Sequence, residues 1–589
     1  MEDLPRVIEE VFSLVNLDLY GVAGVLEGDR LLVTAFREGA SNVYAYTPEE
    51  GLVKLNREPV SMVAEPPRGA GRVVIARDVA RGRELHRAFI ASLESPGEER
   101  PLVEGLEPMR LLSLVDKGDK VYLTGVTPDG VGVFEARPGS DARRVGLIPG
   151  LGALEDVAGR VGVGIIFQQT GRIPLFTIDL DSGEARIVET PGSVTAVRAS
   201  PEGWVALGVE GAREAGLYRF DPETGRVEPL ELAGRGLREY RPTMISYIGF
   251  TGRGEAVVVA WRGVRSRVFL DGDPVEGPEG GYGRAYDWRG GLVATYTSLR
   301  RPHSVVHLKD GRAVTLLSDR LPDWLEEALG DVRVHDVEAP DGERVPVITL
   351  ESRRAGRPGP TVVHVHGGPF AADVDAWGIF AAALALAGFN VVMVNYRGSM
   401  GFGEEWRSKI IGDPCGAELD DIVAAARWAR ESGLASYTAI MGYSYGGYMT
   451  MCALTRRPGE FAAGVAGASV VDWEEMYELS DPAFKAFIEL LFAGDKSRWR
   501  ERSPITHLDN LRDPLCIIHP QNDSRTPLKP VLHFMEKALE KGKRFEAHIA
   551  PDMGHAVNTA DDVVKILLPA IIFLYRIKTE RAAGTQETK

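Results

Sequence analysis

Cysteine is scarce in this chain: Cys415, Cys452 and Cys516 are the only three in 589 residues. None has the C-x-x-C spacing of a metal knuckle, and three do not make a disulfide framework. Three buried thiols are therefore the expectation. The alternative is a Cys415–Cys452 bridge, which a cytosolic protein avoids outside the hyperthermophiles. Basic charge is in deficit, with 68 Lys and Arg against 84 Asp and Glu and a formal net charge of −16. That balance argues against nucleic acid or an anionic membrane as a partner, since both require a basic footprint. No apolar run reaches the roughly 18 residues of a membrane span, and Met1-Glu2-Asp3-Leu4-Pro5 has no basic n-region. The cytoplasm is the expected compartment. The long apolar run near the end, Ile566 to Leu574, contains Pro569. Nothing in the sequence calls for a metal or an organic cofactor.

What is present reads as soluble and multidomain: 44% of residues are hydrophobic and 26% charged, over a length too great for one core. Asp3 to about Leu17 predicts an amphipathic helix, with Leu4, Val7, Val11 and Val15 on one face. From Leu19 to Leu317 the chain changes to short β runs punctuated by Gly, Pro, Asp and Ser. Strand-rich units begin near Arg30, Arg72, Lys120, Val161, Trp204, Glu255 and Leu292, a spacing of roughly 36–52 residues. Seven units of that size match a seven-bladed β-propeller of four-stranded blades. Phe176 to Gly183 and Tyr218 to Gly225 repeat the same strand-to-turn pattern 42 positions apart, and Tyr44 to Gly51 repeats the interval. A pair of irregular β-sandwiches is the competing architecture.

Beyond Leu321 the texture becomes alternating β and α, which predicts a mostly parallel sheet with ligands at the strand carboxyl ends. The expected fold is thus an N-terminal propeller followed by a C-terminal α/β-hydrolase. The stretch Gly442-Tyr443-Ser444-Tyr445-Gly446 lies between a strand-like run and a helix-compatible run. That is a nucleophile elbow, in which a Cβ at either flanking glycine would collide with its neighbours. With 67 glycines in the chain the pentapeptide alone is weak, so its surroundings carry the case.

A serine needs a base, and the partners of such an elbow follow it in the order Asp/Glu, then His. Of His507, His519, His533, His548 and His555, His548 falls in a strand and His533 in a helix. His555 follows the last strand and is the predicted base. Asp523 occupies the loop one strand earlier and is the predicted acid, in preference to Asp513 at the wrong strand end and Asp552, which is local to His555. For the oxyanion, His366-Gly367-Gly368-Pro369 follows an early strand, so the backbone N–H groups of Gly368 and Tyr445 are the expected donors. Arg525 is read either as a substrate-binding residue or as half of a structural ion pair. Phe487 is the expected wall of a hydrophobic side-chain pocket.

With HGGP, NYRGSMGFG, GYSYGGYM, PQNDSRTPLKP and MGH in that order behind a propeller, the chain resembles the prolyl oligopeptidase family of serine peptidases. Its hydrolase half most resembles the archaeal acylaminoacyl peptidases. The resemblance implies a serine exopeptidase releasing an N-acylated amino acid from the blocked end of short peptides, with esterase activity beside it. It further implies a propeller that screens out folded proteins, a homodimer, and an N-terminal helix that packs on the hydrolase domain. The domains expected are 1–18 for that helix, 19–320 for the propeller, 321–578 for the hydrolase and 579–589 for a disordered tail. The competing functions are a prolyl oligopeptidase-type endopeptidase or a carboxylesterase, and, outside enzymes, a binding scaffold. A scaffold has no need of Ser444, Asp523, His555 and Gly368 together.

Overall fold

Asp-to-glycine turns set the repeat of the N-terminal half. The computed structural model describes residues 3–587. In it, the strand Leu175–Asp179 ends where Asp179 Oδ1 accepts the N–H groups of Asp181 and Ser182 at 3.1 and 2.9 Å. The strand Ala215–Phe220 ends the same way, with Asp221 Oδ1 accepting from Glu223 and Thr224 at 2.9 and 3.1 Å. Gly183 and Gly225 close the two turns at φ 76° and 74°, a conformation open to glycine without strain. The repeat read from the sequence is therefore a repeat in space.

Seven four-stranded antiparallel meanders result, from Leu19–Val25 in the first to Arg312–Leu317 in the last. They form a seven-bladed β-propeller. The unit starts read from the sequence coincide with the second strand of each blade, these strands beginning at Leu31, Arg72, Val121, Val161, Val205, Ala256 and Gly291. Each innermost strand lies one hairpin earlier. Blades one and seven join through a shared apolar core, a hydrogen bond from Val22 N–H to Thr295 Oγ1 at 3.0 Å, and one from Trp288 Nε1 to the Asp29 carbonyl at 2.8 Å.

The C-terminal half is built on an eight-stranded sheet. Its first two strands, Leu329–Glu338 and Arg344–Ser352, form an antiparallel lead-in. The remaining six run parallel in the spatial order Asn390–Val394, Gly359–Val365, Ala435–Tyr443, Gly464–Gly467, Leu515–Pro520, Glu546–Ala550. Such strands are covered on both faces, and Val362, Val363, Val391, Val392, Ile440 and Ile517 are fully buried. The helix Leu4–Val15 has Pro5 in its first turn and lays Val7, Val11, Leu14 and Val15 into the core formed by helices Ile379–Leu386 and Ala560–Glu587.

Two expectations change. The segment 579–587, read as a disordered tail, continues the helix Ala560–Glu587. Thr579 Oγ1 donates to the Tyr575 carbonyl at 2.9 Å and Arg576 pairs with Glu580 at 3.6 Å, links one turn apart that carry the helix onward. Residues 588–589 of that tail lie outside the described residues. Cys415 and Cys452 are joined in a disulfide, so only Cys516 remains a buried thiol. The helix Ala417–Glu431 begins just after Cys415, and Cys452 lies in the elbow helix Tyr445–Arg456 packed against it. Their Cα atoms are 6.3 Å apart.

Candidate active site

Ser444 occupies the corner between the strand Ala435–Tyr443 and the helix Tyr445–Arg456, at φ 59° and ψ −121°. Gly446 abuts the Val365 carbonyl of the neighbouring strand, and Gly442 abuts Gly446, so a Cβ at either would strike backbone. The strain at Ser444 is held by those close approaches and by its N–H, which donates to the Gly467 carbonyl at 2.9 Å.

Two later strands bring the partners. Asp523 follows Leu515–Pro520 and His555 follows Glu546–Ala550, and their loops are tied where Asn522 N–H donates to the Met553 carbonyl at 2.8 Å. His555 Nε2 lies 2.9 Å from Ser444 Oγ, and its Nδ1 lies 2.7 Å from Asp523 Oδ2. Asp523 also accepts from the Arg525 and Thr526 N–H groups at 2.9 and 2.8 Å and from Thr526 Oγ1 at 2.8 Å. Burial opposes the charge on Asp523, but the His555 imidazole and these donors overcome it and hold the carboxyl at about 2. The structure thus brings Ser444, His555 and Asp523 into one hydrogen-bonded chain. His548 sits in its strand and His533 in the helix Leu528–Glu540, both outside it. Asp513 instead accepts from Gly459 N–H, and Asp552 lies exposed near Arg81.

Gly368 and Tyr445 line the same cavity as Ser444. A Cβ on Gly367 would stand 3.3 Å from Ser444 Cβ, which measures how closely this loop approaches the serine. His366 holds the loop: its Nδ1 is 2.7 Å from the Gly367 carbonyl and its Nε2 is 2.8 Å from Ser399 Oγ. Burial lowers the affinity of His366 for a second proton, so the imidazole is neutral and its two ring atoms divide the donor and acceptor roles. Arg397, in the same motif as Ser399, is clamped by Asp421 and Asp341. The motif is scaffolding for the loop.

The cavity has a volume of about 510 Å³ and is walled by both halves of the chain. Phe487 and Phe484 line it, ring centroids 5.9 Å apart, from the helix Pro482–Leu491. Arg525 lines it too, with Nε 2.8 Å from Glu84 Oε2. Glu84 is a propeller residue that sequence reading missed. It sits in the loop between strands Arg72–Asp78 and His86–Ser92, which docks on both triad loops: Asn522 Nδ2 donates to the Arg81 carbonyl at 2.8 Å, and Gly82 abuts Gly554. Arg110, from the next blade, adds bonds to Ser524 Oγ at 2.9 Å and to Asp481 at 2.7 Å. Glu84 and Arg525 are 441 positions apart, and no periodicity or spacing signals such a pair.

Two family profiles match the chain. One is described as the acylamino-acid-releasing enzyme-like N-terminal domain, over residues 32–306, and the other as the prolyl oligopeptidase family, over residues 379–578. Residues 379–578 are thus similar to the prolyl oligopeptidase family, and residues 32–306 to the N-terminal domain of acylamino-acid-releasing enzymes. Among curated relatives, dipeptidyl aminopeptidase BIII of Pseudoxanthomonas mexicana is 34% identical over 212 residues, covering 34% of this chain and 31% of that one. The human acylamino-acid-releasing enzyme is 29% identical over 226 residues, covering 36% and 31%. The chain thus matches about a third of the length of these relatives. Among solved structures, Pyrococcus horikoshii acylaminoacyl peptidase superposes with a TM-score of 0.71 at 17% identity, covering 96% of this chain and 97% of that one. A puromycin hydrolase superposes at 0.80 with 18% identity, covering 96% of each. At these identities the superpositions speak to the fold.

Proposed function

We propose that this protein is a serine exopeptidase of the prolyl oligopeptidase type that releases an N-acylated amino acid from the blocked end of short peptides. Ser444 is the nucleophile and His555 the general base that takes its proton and returns it to the leaving amine. Asp523 holds the His555 tautomer and stabilises the imidazolium. The N–H groups of Gly368 and of Tyr445, the first residue of the elbow helix, receive the developing oxyanion. The acyl-enzyme is then hydrolysed by water activated by His555, and simple esters follow the same route. Phe487 faces the first side chain. Arg525 shapes the pocket as half of an ion pair with Glu84. The functional units are the helix up to residue 18, the propeller up to about 320 as a size filter, and the hydrolase beyond it. A cytoplasmic homodimer is part of the same reading.

The observation that carries it is the state of the cavity's acidic groups. Among the described residues lining the cavity, the carboxylates are Asp78 and Glu84. Asp78 is occupied by the Ala80 and Glu84 N–H groups at 2.8 and 3.0 Å. Burial opposes the charge on Glu84, yet Arg525 and Arg110 hold its carboxyl below the usual range. A free α-ammonium entering here finds Glu84 already held by two arginines and Asp78 already engaged by backbone N–H groups, whereas a neutral acylated end needs neither. The test compares kcat/KM for an N-acetylated amino-acid anilide with that for its free-amine form. The acetylated form is expected to be better by about 10–100-fold. Equal rates, or a preference for the free amine, would assign the site to aminopeptidase chemistry instead.

A further inference from the structure

Away from the cavity, three ligand-bearing side chains converge at the outer edge of the hydrolase sheet. Cys516 on the strand Leu515–Pro520 pairs directly with Glu546 on the edge strand Glu546–Ala550, in parallel register. His548, two residues further along the edge strand, points to the same face, because side chains alternate along a strand. The thiol, carboxylate and imidazole ligand atoms all lie within 4.8 Å of one another. Around a tetrahedral zinc ion, with bonds of about 2.0–2.3 Å, ligand atoms stand roughly 3.5 Å apart. The cluster is therefore one small side-chain rotation from a binding geometry. His548, 43% exposed, is free to make that rotation.

We propose that Cys516, Glu546 and His548 form a binding site for one divalent cation of the zinc class, with water as the fourth ligand. A thiolate, a carboxylate and an imidazole together suit zinc and tetrahedral cobalt, and exclude the oxygen-only preference of magnesium or calcium. Glu546 now pairs with Arg576. Arg576 also has Glu580 within 3.6 Å and is 42% exposed, so its guanidinium keeps a partner when the metal takes Glu546. Binding replaces the Cys516 proton: the S–H bond breaks, a sulfur–metal bond forms, and one proton leaves to solvent. Because a proton is released, binding tightens as pH rises. The ion would cross-link the two strands whose carboxyl ends run into the Asp523 and His555 loops. Its role is bracing, since none of its ligands lines the cavity.

The test is a Co²⁺ titration of the untagged, unreduced protein. One equivalent is expected to produce a thiolate-to-cobalt charge-transfer band that Zn²⁺ abolishes by displacement. Cys516→Ser should remove the band. Glu546→Gln and His548→Ala, at partly exposed positions that leave the core intact, should each weaken binding by at least about tenfold. Absence of the band, its persistence in Cys516→Ser, or affinity unchanged in both other variants would overturn the site.

Discussion

At the scale of single residues, the proposed triad ends in a carboxylate whose oxygens are both engaged. Asp523 is buried among three donors of its own loop and the His555 ring. Its folded-state value near 2 lies below that of an unfolded aspartate, so the stability it contributes is complete above about pH 4 and is lost as pH falls toward 2. Asp523→Asn is expected to keep the fold but lower kcat by about 10⁴-fold, through loss of the correct His555 tautomer. An unaltered kcat in a normally melting variant would remove Asp523 from the mechanism. Glu418 behaves in the opposite sense. It lies fully buried beneath the elbow, where it accepts from Tyr445 Oη at 3.0 Å and from the Gly416 N–H at 3.0 Å. Burial outweighs those donors and raises its carboxyl to about 8. The folded state therefore binds this proton more tightly, and the contribution of Glu418 to stability falls as pH rises from about 4.5 to 8. Glu418→Gln should gain in melting temperature relative to the parent between about pH 5 and pH 9. A difference constant across that range would contradict the buried neutral acid.

At the scale of elements, the elbow and the triad loops were legible because local sequence dictates them. Gly442 and Gly446 are required by contacts within one strand–turn–helix unit, and Asp523 and His555 each end a strand in chain order. Glu84 was not legible, because its meaning depends on docking a propeller loop against a loop 441 residues away. The disulfide was read the wrong way for a different reason. Compartment weighed against it, whereas the packing of helices Ala417–Glu431 and Tyr445–Arg456, which brings Cys415 and Cys452 together, is a tertiary fact. Closing a loop of sequence separation 37 is worth about 3–4 kcal/mol. Titration of unreduced, denatured protein should find one thiol, from Cys516, and three after reduction. Three thiols before reduction would restore the buried-thiol reading. The cluster at Cys516, Glu546 and His548 was likewise hidden, since strand register rather than sequence spacing assembles it.

At the scale of the whole molecule, the site is closed by the meeting of two architectures. Arg407, fully buried, pairs with Glu210 of the fifth blade and donates to Ser193 Oγ at 2.6 Å. Arg265 joins Asp375 at 2.9 Å, and Glu84 joins Arg525 beside the triad. Removing Glu210 would strand the buried Arg407 charge, at a cost of about 3–5 kcal/mol. These pairs therefore fix the propeller over the cavity more than they add net stability. Among the described residues no helix is long and apolar enough to cross a membrane. The proposed role of this cavity, with Glu84 ion-paired and Asp78 hydrogen-bonded to backbone, is to receive a blocked peptide end. The most direct measurement is mass-spectrometric digestion of one short peptide with a hydrophobic first residue, in N-acetylated and free-amine forms, with Ser444→Ala as the blank. Release of the acetylated first residue, with the free form much slower and the blank inert, is the predicted result. Equal cleavage of both forms, internal cleavage after proline, or hydrolysis confined to simple esters would contradict it.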